Sequence, residues 1–163
     1  NGQEPDMIQK LEDENALPTQ LYLSTNAADY QSFLKINRPR YDDSWERWNK
    51  TLKMLSTLDT RTVLRLTLIR GYNDNEKMIP AFASLLQKSN VHFVEIKSYM
   101  HIGRSTNRLE HSDMLEMDEV RSFADKLVQE NNVFTVMDES EISRIVILQN
   151  KKRFIDRFIP AYC

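Results

Sequence analysis

The chain has 163 residues, 40% apolar and 28% charged, with a formal net charge of −2. That length suits one compact domain, and that balance describes a globular chain, not a disordered one. The only cysteine, Cys163, excludes an internal disulfide framework and any thiolate metal cluster held by this chain alone.

In chain order, Asp6 to Asn15 reads as a polar helix opened by Pro5 and closed near Pro18. "TQLYLS" is a short strand ending at Ser24. Trp45, Trp48, Leu52 and Leu55 fall at helical spacing, after an Asp43…Glu46 pair that resembles a capping box. "RTVLRLTLIR" is the clearest strand. A helix follows around Ile79 to Leu86, then the strand "HFVEIK", a helix marked by Val120, Phe123, Ala124, Leu127 and Val128, and a late strand "SRIVIL". Strand–helix alternation predicts βα units and a mainly parallel sheet. Only three glycines occur, so no phosphate-cradling loop or dinucleotide fingerprint is present. No apolar run approaches the roughly 20 residues of a membrane helix, and no secretory leader opens the sequence. A cytoplasmic protein is expected.

Charge is segregated. Residues 1–34 hold six acids and one base, and 35–70 hold nine bases and four acids. Residues 97–108 hold three bases and no acid, 109–141 hold ten acids and two bases, and 142–163 hold five bases and one acid. The basic blocks form either a footprint for a phosphate-rich partner or an ordinary solvated face.

Strand faces say more. Leu64, Leu66 and Leu68 share one face of the strongest strand, and Val63, Arg65, Thr67 and Ile69 the other. "HFVEIK" sets Val94 and Ile96 against Phe93, Glu95 and Lys97, while Tyr22 and Ser24 oppose Leu21 and Leu23. Leucines suit outer helices; a mid-strand Arg and Glu must be paired or must line a wet cavity. A buried Arg65–Glu95 network is the economical explanation. It does not account for polar groups gathering at strand C-termini, where βα barrels bind ligands.

Lys97, at a strand end, could attack a carbonyl and form a Schiff base, or could simply pair with Glu95. The donor-rich run after it contains Arg104, Ser105, Asn107 and Arg108, which could hold phosphate or base edges, and Tyr99 and His101, which could stack on a base. A solvated loop is the plain alternative. His92, His101 and His111 lack metal-ligand spacing, so no metal site is assigned, and no nucleophile-elbow motif supports a Ser–His–Asp triad. The acidic helix "LEMDEVRSFADKLVQE" reads as an amphipathic surface helix with no catalytic role.

Four blocks in order, "LPTQLYLSTNAADY", "INRPRYDDSWERW", "RTVLRLTLIRGYN" and "FVEIKSYMHIGRSTNRL", resemble the C-terminal half of the wyosine-synthesising radical-SAM enzymes, the 4-demethylwyosine synthases, in their archaeal form. The likeness runs from Asn1 to about Leu148. It implies the C-terminal portion of a partial (β/α)6-type radical-SAM barrel, α/β in class, with mainly parallel strands and outer helices. Residues 1–163 would be part of that domain, with a wyosine-base-formation segment at about 91–150. The resemblance also implies S-adenosylmethionine and a 4Fe-4S cluster as cofactors. The substrates would be phenylalanine tRNA, carrying N1-methylguanosine next to its anticodon, and pyruvate, which supplies two carbons. By matching position Lys97 is a candidate for pyruvate activation. Ser24, Arg65, Thr67 and Asn73 would face S-adenosylmethionine, and Tyr99, His101, Arg104, Ser105, Asn107 and Arg108 would lie near the target base and anticodon backbone.

One departure is plain: the Cys-x3-Cys-x2-Cys loop that binds the cluster in such enzymes is absent, as are the first barrel strands. "NGQEP" is similar to the tail of the family's Thr-Asn-Gly strand end, so the chain is expected to start mid-domain and to be inactive alone. Two other readings remain open: a truncated paralogue that only binds RNA or protein, and an aldolase-like lyase using Lys97 without radicals. The tail "QNKKRFIDRFIPAYC" either touches tRNA through its basic residues or is solvated.

Overall fold

The computed structural model describes residues 1–159; Cys163 lies outside them. Helix α1 (Pro5–Asp13) begins on a proline whose fixed φ suits a first helical turn, and β1 (Gln20–Ser24) follows. Helix α2 (Tyr30–Asn37) is capped by Asp29, whose carboxylate accepts from the Ser32 amide at 2.9 Å. The remaining α-helices and strands are α3 (Ser44–Met54), β2 (Arg61–Leu68), α4 (Ile79–Ser89), β3 (Phe93–Ser98), α5 (Met117–Glu130), β4 (Phe134–Ser140) and β5 (Ile145–Asn150), and short 3-10 turns cover Glu76–Met78, Gly103–Asn107 and His111–Asp113. The capping box expected at Asp43 does not form. Asp43 instead pairs with Arg47 one turn on, at 2.8 Å.

The strands form one sheet in the order β1-β2-β3-β5-β4. β1, β2 and β3 run parallel, while β5 lies antiparallel to β3 and β4 antiparallel to β5. The mainly parallel expectation therefore holds for three strands, and a hairpin finishes the sheet. That hairpin's first strand and α2 were not expected from sequence. In β4 the alternation is broken by a register shift between Val136 and Asp138, which hides the period of two.

The leucine face is the dry one. Leu64, Leu66, Leu68, Val94, Ile96, Val146 and Leu148 are buried, and they share the core with Trp48 and Leu52 of α3, Phe82 and Leu86 of α4, and Val120 and Phe123 of α5. Each fully buried leucine contributes about 2 kcal/mol. Three parallel strands sharing one helical layer must end at one rim, and so the sheet acquires a polar end.

The opposite end is closed by the tail after β5. Arg153 donates to the carbonyls of Leu55, Leu58 and Asn90 at 2.8, 2.9 and 3.0 Å. Arg61, at the start of β2, donates to the carbonyls of Arg157 and Phe158 at 2.9 and 3.1 Å and lies 5.0 Å over the Phe93 ring. These two arginines are structural fasteners. Beside them His92 is buried, and its Nδ1 accepts from the Thr62 amide at 3.1 Å. Burial, and then the positive charges of Arg153 and Arg61, push its imidazole down to about 4, so it is neutral near pH 7.

Candidate functional site

The face opposite the leucines carries the expected polar side chains, and the register aligns them in rows. Ser24, Arg65 and Glu95 stand abreast on β1, β2 and β3; one pleat further on, Thr67 stands beside Lys97. Arg65 binds Glu95 bidentately, with Nε to Oε1 at 2.7 Å and Nη2 to Oε2 at 3.2 Å, and its guanidinium lies 4.4 Å over the Tyr22 ring. Glu95 is only 7% exposed, so the fork satisfies a carboxylate that would otherwise be buried unpaired. The sheet thus contains the economical Arg65–Glu95 network.

That pairing has a consequence for Lys97. Both Glu95 oxygens accept from Arg65, and the suggested Glu95–Lys97 pair does not form. Among the described residues Lys97 has no ion pair or hydrogen bond. It is half-buried, and it lines a hollow of about 350 Å³ together with Arg65, Thr67, Tyr99, Ser105 and Arg108.

A second hollow, of about 840 Å³, adjoins the first: Asn26, Ile36, Arg38 and Arg108 line both. Ser24 belongs to the larger one, as do Gln3 and Arg40. Gln3 Oε1, in its wall, is a buried acceptor with no partner among the described residues.

The other sequence-predicted residues are placed as follows. Asn73 is fully buried and lines neither hollow. Its Oδ1 accepts from the Ile69 amide at 2.6 Å, and its Nδ2 donates to the carbonyls of Thr67 and Asn26 at 2.8 and 2.9 Å. Asn26 Oδ1 in turn accepts from the Thr67 amide at 3.3 Å. Two asparagines therefore lace the loop after β1 to the end of β2, and Asn73 shapes the rim from behind. Tyr99 is also buried, in the wall of the smaller hollow, with its hydroxyl 3.2 Å from His101 Nδ1; His101 stands edge-on to the His111 ring. Ser105 lines the smaller hollow with its hydroxyl donated to the Ile102 carbonyl at 2.6 Å. Arg104 and Asn107 are exposed and line neither hollow. Sequence reasoning missed Gln3, Asn26 and Arg38. A signal existed only for the helix that delivers Arg38, in the Asp29–Ser32 capping spacing.

No group of three or more His, Cys, Asp or Glu among the described residues could hold a metal ion. No described helix is long and apolar enough to cross a membrane.

The fold and the rim define a mixed α/β sheet with helices and a ligand-sized polar groove at the ends of its parallel strands. Residues 88–150, which contain β3 and the loop after it, match the family model for wyosine base formation. The chain is related over nearly all its length to the S-adenosyl-L-methionine-dependent tRNA 4-demethylwyosine synthases. It is 43% identical over 156 residues to that of Methanocaldococcus jannaschii, covering 96% of this chain and 47% of the relative. It is 38% identical over 148 residues to that of Pyrococcus abyssi, covering 91% and 43%. The human synthase is 33% identical over 153 residues, covering 93% of this chain and 20% of that protein. A solved structure of TYW1 with a lysine–pyruvate adduct bound superposes with a TM-score of 0.80 at 41% identity, over 95% of this chain and 47% of that one. A crystal structure of archaeal TYW1 gives 0.72 at 37% identity, over 95% and 46%. The chain spans about half the length of the archaeal relatives it matches.

Proposed function

We infer that this chain carries the substrate-facing part of a tRNA 4-demethylwyosine synthase. In that reading the sheet is the C-terminal portion of a partial radical-SAM barrel. The reaction condenses pyruvate with N1-methylguanosine next to the anticodon of phenylalanine tRNA, in the cytoplasm. The observation that carries it is Lys97: an amine on a half-buried strand end, without a partner among the described residues, in a small hollow, in a chain similar to a TYW1 whose solved structure has a lysine–pyruvate adduct bound.

The chemistry follows from the placement. A neutral lysine amine adds to the ketone of pyruvate, and loss of water leaves an imine that fixes the keto acid at the rim. Arg65 cannot neutralise a substrate carboxylate fully, since Glu95 already holds its fork. The Arg108 guanidinium, open among the described residues, and the Thr67 hydroxyl define the pole toward which an anionic substrate would turn. Ser105 stiffens the loop that closes the hollow.

S-adenosylmethionine fits the larger hollow. The orphaned Gln3 Oε1 would accept from its amino group, and Ser24 and Asn26 offer further polar atoms. When bound there, and reduced by one electron from a cluster held outside this chain's residues, it would release methionine and supply the radical that removes a hydrogen atom from the guanosine methyl group. The 4Fe-4S cluster does not fit this chain's own residues. One cysteine in 163 residues cannot supply three thiolates, so its ligands would lie outside the sequence.

The test uses the intact enzyme. Lys97→Ala should abolish the tricyclic product while S-adenosylmethionine cleavage continues. Normal product from the variant would remove Lys97 from the reaction.

A further inference from the structure

The chain's twelve arginines divide sharply by their partners. Arg47, Arg65, Arg70, Arg121, Arg144 and Arg157 bind carboxylates, and Arg61 and Arg153 bind backbone carbonyls. Among the described residues Arg38, Arg40, Arg104 and Arg108 bind neither. Three of those four line the groove: Arg38 and Arg108 border both hollows, and Arg40 the larger one. Arginine carries five donors in a rigid fork suited to oxyanions. Three such forks, unengaged by any described residue and lining one groove, suit an oxyanion-rich ligand.

The backbone adds an independent observation. Arg38 closes α2 in the left-handed region, at φ 46° and ψ 62°. Glycine or asparagine usually takes that position, and the following Pro39 disfavours it further, because a residue before proline is pushed toward extended conformations. Of the other non-glycine residues with positive φ, Asn15 and Asn90 are tolerant types, and Arg144 is held by Glu116 and the Leu115 carbonyl. Arg38 alone of the four combines a strained backbone with a free guanidinium. The left-handed turn closes α2, with the Arg38 amide donating to the Leu34 carbonyl at 3.2 Å, and it leaves at the groove a guanidinium that no described residue engages.

We propose that Arg38 and Arg40, with Arg108, form a clasp for consecutive phosphodiester groups of an RNA strand entering the groove. A single small carboxylate would fill one fork, whereas a chain of phosphates about one nucleotide apart can fill three. Lys35, one turn before Arg38, is held over the Tyr72 ring at 4.8 Å in the wall of the smaller hollow, and so it adds positive potential without competing for the same contact. The clasp rests on the reading that the protein acts on tRNA, and it assigns to the "RPR" segment the job of aligning the strand across the Lys97 hollow.

The experiment is tRNA binding by the intact protein, measured by fluorescence anisotropy with a phenylalanine tRNA transcript from about 50 to 300 mM KCl. Each phosphate contact contributes roughly 0.7–0.9 to the slope of log affinity against log salt. The double variant Arg38→Gln/Arg40→Gln should lower the slope by about 1.5 and weaken binding by about tenfold at 150 mM. Arg38→Lys should keep most of the slope. Arg38→Gly, which suits the left-handed position, should lose about one contact's slope with a Tm no lower than that of the parent. A steep parental slope left unchanged in the double variant would overturn the clasp and leave the tRNA reading standing. A parent that does not bind tRNA would overturn both. An unchanged slope with a raised KM for pyruvate would assign the forks to the small carboxylate instead. A lower Tm for Arg38→Gly would make Arg38 a fold residue and overturn its part.

Discussion

The two ends of the sheet use the same residue types to opposite purposes. At the N-terminal ends of β2 and β3, Arg61 and Arg153 give their donors to carbonyls of the tail and of the turns after α3 and α4, and His92 beside them is held neutral near pH 7. At the C-terminal ends, Lys97 and Arg108 line a hollow with no bonded partner among the described residues. The same side-chain type closes the fold where carbonyls are within reach and, where it lines a hollow without them, is left open to a ligand; Arg104, outside both hollows, does neither. Arginine in a sequence therefore carries little meaning until its partners are known.

The comparison can be broken by removing its members in turn. The largest effect on stability is expected at the closed end, where Arg153→Met strands three carbonyls and should cost about 3 kcal/mol, read by urea denaturation. A cost below about 0.5 kcal/mol would show that the tail's fastening is decorative. Asn73 sharpens the contrast because it lies near the open end yet has every polar atom engaged. Asn73→Ala should cost about 2 kcal/mol and also weaken ligand binding at the rim. A variant that kept full stability would move Asn73 out of the scaffold.

The smallest effect is a pH dependence. His92 has a folded pKa of about 4 against an ordinary 6.5, so the unfolded chain binds its proton first as pH falls. Its contribution is flat above about 6.5 and is lost as pH drops toward 4. Between pH 7.5 and 5.5 the loss should be on the order of 1 kcal/mol. His92→Asn, which can keep an acceptor for the Thr62 amide, should flatten that part of the acid limb; an unchanged limb would place the titration elsewhere.

Much of the fold was legible. Leu64, Leu66 and Leu68 against Arg65 and Thr67 announced a two-faced strand, and the burial of the leucines follows that alternation. The hairpin was harder to read, because the bulge in β4 scrambles its period and "FTVMDES" loses its face. At the site, the polar row was readable from strand parity, and Arg65 with Glu95 from the need to pair a buried carboxylate. What could not be read was which charges remain open. Glu95 has two cations within reach along the sequence, and only the register across β2 and β3 decides that Arg65 takes it. Likewise Asn73, expected from the family resemblance to face S-adenosylmethionine, is folded inward to bridge the loop after β1 and the end of β2. Arg38 enters the groove only because α2 ends where it does.

The most direct test of the open end is chemical trapping. The intact enzyme is incubated with labelled pyruvate and borohydride, digested, and mapped by mass spectrometry. The expected result is a single reduced adduct on Lys97, lost in Lys97→Ala. An adduct on Lys35, the other lysine lining that hollow, or on none of this chain's lysines, would contradict the claim that the uncommitted amine at the strand end is the group that receives the keto acid.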